Sequence, residues 1–234
     1  MHVNSSFPRS GSELMQALLG QHPRVYASAT SPLLEYWFAA SKNLNLPEVK
    51  SQDEQKMKEA FKSFCRSGAV GYYQELTNKD VIVDKSRGWI EYADFLWDIF
   101  PDAKIVSMVR SIDDIVNSLE RVYRANPMHP EMDGLPKTPE QRAAFWCQSG
   151  SLPLGLALDR FKGRAARGDD PRILHVDYDL LIQNPIEVMK QTFEHLNIEP
   201  IEIDPNNVVK SAEEDDSHYG IFGSHQLRST VGKR

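Results

Sequence analysis

Cysteine is scarce in this sequence, and long apolar runs are missing. The 2 cysteines, Cys65 and Cys147, stand far apart, without the close spacing of a zinc site or of a redox-active pair. We expect both thiols to stay reduced, as in a reducing compartment. No stretch reaches the ~18 apolar residues that indicate a membrane-spanning helix, and no signal peptide opens the chain. The sequence therefore predicts a cytoplasmic protein without a membrane partner.

Positive charge is outnumbered by negative charge. The 234 residues include 27 lysines and arginines against 33 aspartates and glutamates, which leaves a formal net charge of −6 at pH 7. Nucleic-acid-binding proteins carry an excess of Lys and Arg, so this balance argues against a nucleic-acid partner. Any site for an anion must therefore be a local basic pocket in an acidic protein.

Strand-like and helix-like patterns alternate along the chain. Hydrophobic residues make up 41% of the sequence and charged residues 26%, which suits a packed core. The predicted strands are residues 1–6, 24–28, 80–84, 104–109 and 172–177. The predicted helices are residues 14–19, a segment that begins at Ser31–Pro32, 51–67, 90–100, 112–124, 140–167 with a break near Pro153, and 185–196. This alternation is typical of an α/β protein with a parallel sheet and helices on both faces.

The stretch from Phe7 to Leu14 joins the first predicted strand to the first predicted helix. Its turn reads Arg9-Ser10-Gly11-Ser12. A strand, a Gly/Ser turn and a helix present backbone N–H groups and a helix N-terminus to an anion. Arg9 adds a positive charge, and the serines add hydroxyl donors. The Gly-Lys pair of a Walker A loop is missing from this stretch, which argues against a kinase that uses a nucleoside triphosphate.

Cations also follow two further predicted strands. Lys85 and Arg87 come directly after the strand 80–84, and Arg110 comes directly after the strand 104–109. Ligands of parallel α/β sheets bind beyond the carboxyl ends of the strands, which share one edge. We therefore expect these cations to meet Arg9 in one anion-binding pocket.

Three segments lie outside this pattern. Residues 126–139 are rich in proline, and long loops of this kind are often lids or substrate-recognition segments. The tail, residues 213–234, is first acidic and then basic. It is predicted to be either a flexible terminus or a cover over a bound nucleotide. The charged helix 51–67 is predicted to cover the site.

Two of these turns, taken together, resemble a known enzyme family. Pro8–Ser12, followed by Leu14–Met15, resembles the 5′-phosphosulfate-binding loop of sulfotransferases that use 3′-phosphoadenosine-5′-phosphosulfate, or PAPS. Lys104–Arg110, with Ser118 in the following helix, resembles that family's 3′-phosphate-binding strand and helix. Residues 176–181 resemble the segment behind the 3′ site, most closely in the tyrosylprotein and carbohydrate branches. The resemblance extends from residue 7 to about residue 197, with the motifs in the family's order.

This resemblance implies a fold, a reaction and a set of site residues. The fold would be a single domain over residues 1–234, with a P-loop NTPase-like central parallel sheet and helices on both faces. The reaction would be an in-line transfer of a sulfuryl group from PAPS to an acceptor hydroxyl, with no metal and with release of adenosine 3′,5′-bisphosphate. Arg9 and Lys85 would be the catalytic cations. The residues that would hold the nucleotide are Arg9, Ser10, Gly11, Ser12, Glu13, Arg110, Ser118, Tyr178 and Arg228.

Some positions depart from the family's pattern. Glu13 stands where the family's loop usually has Thr, and a carboxylate there repels an anion unless it caps the helix or faces the acceptor. Arg87 occupies the place of the His base of cytosolic members, and arginine cannot accept a proton. Ala29 and Thr30 stand where the tyrosylprotein branch has its catalytic Glu.

The general base is therefore predicted at another position. Glu35 is the nearest carboxylate after the second predicted strand, and we predict that it accepts the acceptor's proton. The alternatives are Glu13, Asp84 and His22. Arg87 and Trp89 are predicted to contact the acceptor.

Two other functions stay open at this point. The first is a non-catalytic module of the same fold that binds a 3′-phosphoadenosine nucleotide. The second is another P-loop-like transferase, or a phosphatase, that acts on a phosphate ester; neither cysteine stands in an anion loop, which disfavours a cysteine phosphatase. The acceptor also stays open between a sugar hydroxyl, a small alcohol or phenol, and a peptide tyrosine. The sequence does not indicate an oligomeric state.

Overall fold

A five-stranded parallel sheet organises the fold. The computed structural model describes residues 1–126, 134–219, 223 and 225–232. The strands are β1 His2–Asn4, β2 Val25–Thr30, β3 Val81–Lys85, β4 Ile105–Val109 and β5 Ile173–Asp177. Their order in the sheet is β2-β3-β1-β4-β5, and every described pair is parallel. The first strand therefore lies in the middle, and the chain builds outward on both sides of it.

Helices connect the strands. They are α1 Ser12–Leu19, α2 Leu33–Ser41, α3 Pro47–Lys50, α4 Glu54–Leu76, α5 Ala93–Ile99, α6 Ile112–Ala125, α7 Pro139–Cys147, α8 Gly155–Ala165, α9 Tyr178–Gln183 and α10 Pro185–His195. Short 3₁₀ helices occupy Lys42–Asn45 and Asp216–Tyr219. None of the helices in the described ranges combines the length and the hydrophobicity that a membrane crossing needs. The cytoplasmic location stays a prediction.

Alternate side chains of the strands enter separate cores on the two faces of the sheet. Ile105 packs with α2, α4 and α5, whereas the next residue, Val106, packs with α1 and α10. Successive side chains of a strand point to opposite faces, so this division places helices on both sides of the sheet. The α/β fold predicted from the sequence, a single domain with a P-loop-like parallel sheet, is confirmed.

The predicted strands and most predicted helices occur close to their predicted positions, but one prediction needs correction. The helix predicted at 51–67 is α4, and it extends to Leu76. It does not cover the site, because Cys65, Ala69 and Tyr73 face the core beneath the sheet. The predicted helix 140–167 forms α7 and α8, and the break predicted near Pro153 extends over 148–154. Part of the proline-rich segment 126–139 lies outside the described residues.

The central position of β1 fixes where the loops converge. Asn4, the last residue of β1, pairs with Lys85 on β3 and with Val106 on β4. The loops that follow these three strands therefore leave the sheet side by side. Parallel sheets bind ligands at such a point, where the chain switches direction between neighbouring strands.

The C-terminal segment returns to the domain. The backbone N–H of Val208 donates to the Ser229 carbonyl at 2.8 Å, and the N–H of Val231 donates to the Pro205 carbonyl at 2.8 Å. Leu227 and Val231 pack against the core that contains α1. These contacts hold the described part of the tail beside the carboxyl end of the sheet.

Candidate functional site

One large cavity lies beyond the carboxyl ends of β1, β3 and β4. Its volume is about 1220 Å³. Its walls contain most of the residues that the sequence predicted for the site, namely Arg9, Gly11, Ser12, Glu13, Lys85, Arg87, Arg110, Ser118, Tyr178 and Arg228. The fold thus brings loops that are far apart in the sequence to a single cavity.

The loop between β1 and α1 has a backbone shape that glycine favours. Gly11 has φ 97° and caps α1, and its carbonyl accepts from the Met15 N–H at 3.0 Å. A Cβ atom at Gly11 would lie 2.5 Å from the Tyr178 ring, so the loop and this ring are in close contact. Arg9 also has a positive φ, of 60°. The turn therefore directs the N-terminus of α1, with its partial positive charge, into the cavity.

Arg110 and Ser118 lie on the β4 side of the cavity. Ser118 is 3% exposed, and its hydroxyl accepts from Arg9 Nε at 3.1 Å. Arg110 Nη1 donates to the Arg9 carbonyl at 3.4 Å, and the guanidinium lies 4.3 Å from the centre of the Tyr178 ring. Arg9 thus links the phosphate-type loop to the second predicted anion subsite.

Arg110 retains donor capacity. Its Nε is buried and has no hydrogen-bond partner among the described residues, because Asp114 Oδ2 lies 3.8 Å away. An unsatisfied buried donor costs free energy, and a bound anion would remove that cost. The arrangement suits an oxyanion such as a phosphate.

Lys85 is held by two carboxylates at the end of β3. Its side chain is 8% exposed, and Nζ contacts Glu13 Oε1 and, at 3.3 Å, Glu214 Oε2. An anion can bind Lys85 only if it replaces at least one of these carboxylates, because like charges repel at this distance. Glu13 faces the cavity and Lys85 rather than open solvent.

A cluster in the tail adds groups that the sequence analysis did not assign to the site. His225 Nε2 lies 3.8 Å from Glu214 Oε1, and His225 Nδ1 lies 2.5 Å from Asp216 Oδ1. His225 lines the cavity. No spacing in the sequence marks these residues, because they lie on a segment without regular periodicity. Only the return of the tail to the domain brings them to Lys85.

Glu13, Glu214 and His225 offer ligand atoms within 4.8 Å of one another. Oxygen and imidazole ligands of this kind can hold a divalent cation. The Lys85 ammonium already contacts both carboxylates, so a metal ion there would meet its positive charge. These residues therefore fit a metal poorly while Lys85 stays in place, and the absence of a metal stays a prediction.

Three predicted site residues do not line the cavity. Ser10 is buried, and its hydroxyl donates to the Phe7 carbonyl at 2.7 Å, which stabilises the turn. Trp89 is 0% exposed within the core, and its Nε1 donates to Asp84 Oδ1 at 2.5 Å. Glu35 is exposed on α2 and points away from the cavity-lining set. The chain turns back into the core after β3, which carries Trp89 inward.

Two alternative bases, Asp84 and His22, also lie away from the cavity. Asp84 accepts from the Tyr73 hydroxyl and from Trp89, and burial raises the pKa of its carboxyl. His22 is buried and its Nε2 lies 3.2 Å from the Glu199 carbonyl. Neither residue lines the cavity. Both hold the structure together at positions that an acceptor would not reach.

The part of the cavity formed by α6, α7 and the 148–154 segment is apolar. Its described lining residues are Phe7, Leu119, Val122, Tyr123, Gly134, Leu135, Phe145, Trp146, Gly150, Ser151, Leu152 and Pro153, of which only Tyr123 and Ser151 carry a hydroxyl. Phe145 and Leu152 are exposed, which leaves apolar surface in contact with the open cavity. The described residues between 119 and 153 that line the cavity include no charged side chain. The cavity therefore has a cationic end and an apolar end.

Comparison with solved structures shows three similar folds, each named a sulfotransferase or a sulfotransferase domain. The chain superposes on the sulfotransferase domain of the curacin biosynthetic pathway with a TM-score of 0.59 and 18% identity, over 99% of this chain and 87% of that chain. For the sulfotransferase domain of the Synechococcus PCC 7002 olefin synthase, the TM-score is 0.57 with 17% identity, over 99% and 84% of the two chains. A sulfotransferase from Alicyclobacillus acidocaldarius gives 0.53 with 14% identity, over 92% and 86%. At these identities the likeness concerns the fold.

Comparison of the sequence identifies the family. No curated protein matches the sequence. The profile described as "Sulfotransferase family" matches residues 5–202, which include the β1–α1 loop, Lys85, Arg110 and Ser118. The matched span covers most of the chain and every strand after β1. The protein therefore belongs to the sulfotransferase family.

Proposed function

We propose that this protein transfers the sulfuryl group of PAPS to an acceptor hydroxyl and releases adenosine 3′,5′-bisphosphate. One observation carries the proposal: a single cavity contains two separate cationic subsites, which Arg9 joins through its 3.1 Å hydrogen bond to Ser118. A nucleotide with phosphates at both its 5′ and 3′ positions requires two such subsites at once. Family membership supports the same nucleotide.

Each subsite then has a role in binding. The β1–α1 loop and Lys85 hold the phosphosulfate, and Arg110 with Ser118 holds the 3′-phosphate. Tyr178 supports both, since its ring contacts Gly11 and lies under Arg110. Arg228 lines the cavity from the tail and adds a cation on the outer side.

Positioning and charge supply the rate enhancement in this proposal. The acceptor oxygen attacks sulfur in line with the bond to the 5′-phosphate, as in phosphoryl transfer. Negative charge develops on the bridging oxygen as that bond breaks. Lys85 is the cation placed to stabilise this charge, because a buried ammonium acts more strongly than one in water.

The apolar end of the cavity supports a choice among acceptors. A sugar or an acidic peptide needs polar partners along its whole length, whereas the described wall from Leu119 to Pro153 is mostly aromatic and aliphatic and carries no charge. We propose an alcohol or phenol with an apolar body, which buries that body against Tyr123, Phe145 and Trp146. Arg87 stands at the mouth and can contact an anionic substituent.

Nucleotide binding is the first test. The melting temperature is measured with adenosine 3′,5′-bisphosphate and with 5′-AMP, both in the presence of a metal chelator. We expect a clear rise with the bisphosphate and a much smaller rise with 5′-AMP, because only the former engages Arg110 and Ser118. Equal shifts would remove the argument for a 3′-phosphate subsite.

Transfer of label from sulfur-labelled PAPS to 2-naphthol, 1-decanol and glucose distinguishes an enzyme from a non-catalytic nucleotide-binding module. We expect labelled product with the two apolar acceptors and little with glucose. Lys85→Ala should reduce turnover more than bisphosphate affinity, because Lys85 acts on charge that appears in the transition state. Strong nucleotide binding without any transfer would favour the module.

A further inference from the structure

We propose that His225, oriented by Asp216, is the general base of this sulfotransferase. The inference rests on the proposed function. It assigns the proton-accepting role to the C-terminal segment. None of the bases predicted from the sequence lies in that segment.

Asp216 fixes the imidazole of His225. One carboxylate oxygen, Oδ1, lies 2.5 Å from Nδ1, and the other, Oδ2, accepts the backbone N–H of His225 at 3.1 Å. Both carboxylate oxygens of Asp216 therefore bind His225, and rotation of the imidazole ring would break the contact between Nδ1 and Oδ1. A carboxylate on Nδ1 leaves Nε2 to accept a proton and stabilises the imidazolium that forms.

His225 is better held than the other groups in the cavity that could accept a proton. Among the described residues, the cavity wall contains the carboxylate Glu13 and the imidazoles His218 and His225. Glu13 is paired with Lys85. The His218 side chain is 85% exposed and lies 3.9 Å from an exposed carboxylate, Asp215. His225, by contrast, is 19% exposed and contacts an equally protected Asp216.

Glu214 shows the width of the gap between His225 and Lys85. Its Oε2 lies 3.3 Å from Lys85 Nζ, and its Oε1 lies 3.8 Å from His225 Nε2. A single planar, anionic group therefore contacts the lysine with one oxygen and the imidazole with the other. Glu214 itself does not line the cavity, so Lys85 and His225 are the members of this cluster that an acceptor and its sulfuryl donor can reach.

The resulting step is balanced. His225 Nε2 accepts the proton of the acceptor hydroxyl while the acceptor oxygen forms its bond to sulfur. The bond between sulfur and the bridging oxygen breaks, and its electron pair stays on the 5′-phosphate of the leaving bisphosphate, beside Lys85. The products are a sulfate ester, adenosine 3′,5′-bisphosphate and an imidazolium paired with Asp216, which then loses its proton to water.

The first test compares turnover and nucleotide affinity in His225→Gln. Turnover is followed as release of bisphosphate from PAPS with 2-naphthol, with 1-decanol and with water alone as acceptor. We expect turnover to fall about 100-fold or more, the range for loss of a general base. We expect bisphosphate affinity, measured by calorimetry, to stay within about threefold of the wild type, because His225 contacts the reacting atoms and not the phosphates. His175→Gln, a histidine of β5 that does not line the cavity, is the matched control and should behave as the wild type.

Asp216→Asn tests the orienting role. We expect about tenfold lower turnover, and the acid limb of the pH–rate profile should move to lower pH because the imidazolium loses its partner. Glu214, Glu13 and Lys85 also face this region and stay unchanged in the variant. Asp215→Asn, its exposed neighbour, should leave both the rate and the profile unchanged. An unaltered profile in Asp216→Asn would overturn the positioning role.

Chemical rescue keeps the assignment testable if a variant is poorly folded. Free imidazole should restore part of the turnover of His225→Ala and none of the turnover of Lys85→Ala. Full activity in His225→Gln would overturn the assignment, as would loss of activity in Glu214→Gln or His218→Gln alone. Inactivation of the wild type by a chelator, with recovery on addition of Zn²⁺, would indicate a metal at Glu13, Glu214 and His225 and would also overturn it. A wild type that binds adenosine 3′,5′-bisphosphate but consumes no PAPS with any of the acceptors tested would contradict the proposed function itself.

Discussion

In the proposed function, Arg110 is the side chain on which 3′-phosphate binding depends most directly. Its Nε is a buried donor without a hydrogen-bond partner among the described residues, and its planar guanidinium rests on Tyr178. We expect Arg110→Ala to weaken binding of adenosine 3′,5′-bisphosphate by about 1.5–3 kcal/mol, the range for hydrogen bonds to charged groups. Isothermal calorimetry with the bisphosphate and with 5′-AMP measures the change.

The matched control for Arg110 is Arg121→Ala, an exposed arginine on α6, the helix that follows Arg110, and it does not line the cavity. It should leave both affinities unchanged. Binding of 5′-AMP should be affected much less than binding of the bisphosphate in Arg110→Ala. Equal losses for both nucleotides would mean that Arg110 acts on the loop or on Tyr178 rather than on the 3′-phosphate.

In our interpretation Glu214 weakens nucleotide binding, whereas Arg110 strengthens it. Its carboxylate is 6% exposed and contacts Lys85, so it competes with the 5′-side anion for that lysine. Glu214→Gln keeps the shape and removes the charge. We expect the bisphosphate to bind more tightly, by about 0.5–1.5 kcal/mol, because one repulsive charge is removed from the subsite.

Calorimetry at two salt concentrations checks the Glu214 prediction. The gain should persist at high salt, because salt screens buried charge pairs much less than exposed ones. Glu213→Gln, an exposed neighbour outside the cavity, should change little. Weaker binding in Glu214→Gln would show that this carboxylate mainly holds the tail against the domain. That effect would then outweigh its competition with the bound anion for Lys85.

Among the structural elements, the loop between β1 and α1 tolerates the least change. Gly11 combines φ 97° with a neighbouring ring at 2.5 Å from the position of a Cβ atom. Gly11→Ala should therefore lower the free energy of unfolding by about 1–3 kcal/mol, the usual range for backbone strain, and abolish bisphosphate binding. Denaturant unfolding and calorimetry measure the two effects.

Gly163→Ala is the control for Gly11→Ala, and we expect it to change the free energy of unfolding in the opposite direction. It lies inside α8, and a Cβ atom there would meet nothing within 4 Å. Gly163→Ala should raise the free energy of unfolding by about 0.5–1 kcal/mol, because alanine is the better helix former. If both variants were destabilised alike, the effect at Gly11 would not reflect its special backbone or the close contact with Tyr178.

The whole molecule should lose stability as the pH falls below neutral. Burial lowers the pKa of His2, to about 3, and burial also lowers the pKa values of His175 and His195. The unfolded chain binds a proton at each of these residues near pH 6.5, whereas the folded protein binds it only at lower pH, which for His2 is about 3. The unfolded state therefore binds more protons below that pH, and stability decreases as the pH falls toward 3.

Denaturant unfolding at pH 7.5, 6 and 5 checks whether the free energy of unfolding decreases as the pH falls. Each such histidine can remove at most about 1.4 kcal/mol per pH unit in this range. His2→Asn keeps an acceptor for the Lys104 N–H, which donates to His2 Nδ1 at 3.1 Å. The variant should show a shallower dependence on pH than the wild type. An unchanged slope would mean that His2 is protonated in the folded protein.

Local patterns were enough to predict the architecture and most of the residues that meet in the cavity. Strand and helix periodicities identified the alternation of elements, because they depend on residues close in sequence. The turn at Gly11 and the cations after β3 and β4 were predictable for a related reason: a parallel sheet brings the carboxyl ends of its strands together whatever else the chain does. Arg9, Lys85, Arg110 and Ser118 therefore lie in one cavity, as the sequence indicated.

Only the tertiary structure decided the remainder of the site. Glu35 and Trp89 stand close in sequence to strand ends, yet one is exposed on α2 and the other is enclosed in the core. Glu214, Asp216 and His225 lie on a segment without periodicity, so no spacing places them beside Lys85. Their position depends on long-range packing of the tail against the domain, and such contacts are set by the path of the whole chain rather than by local preference.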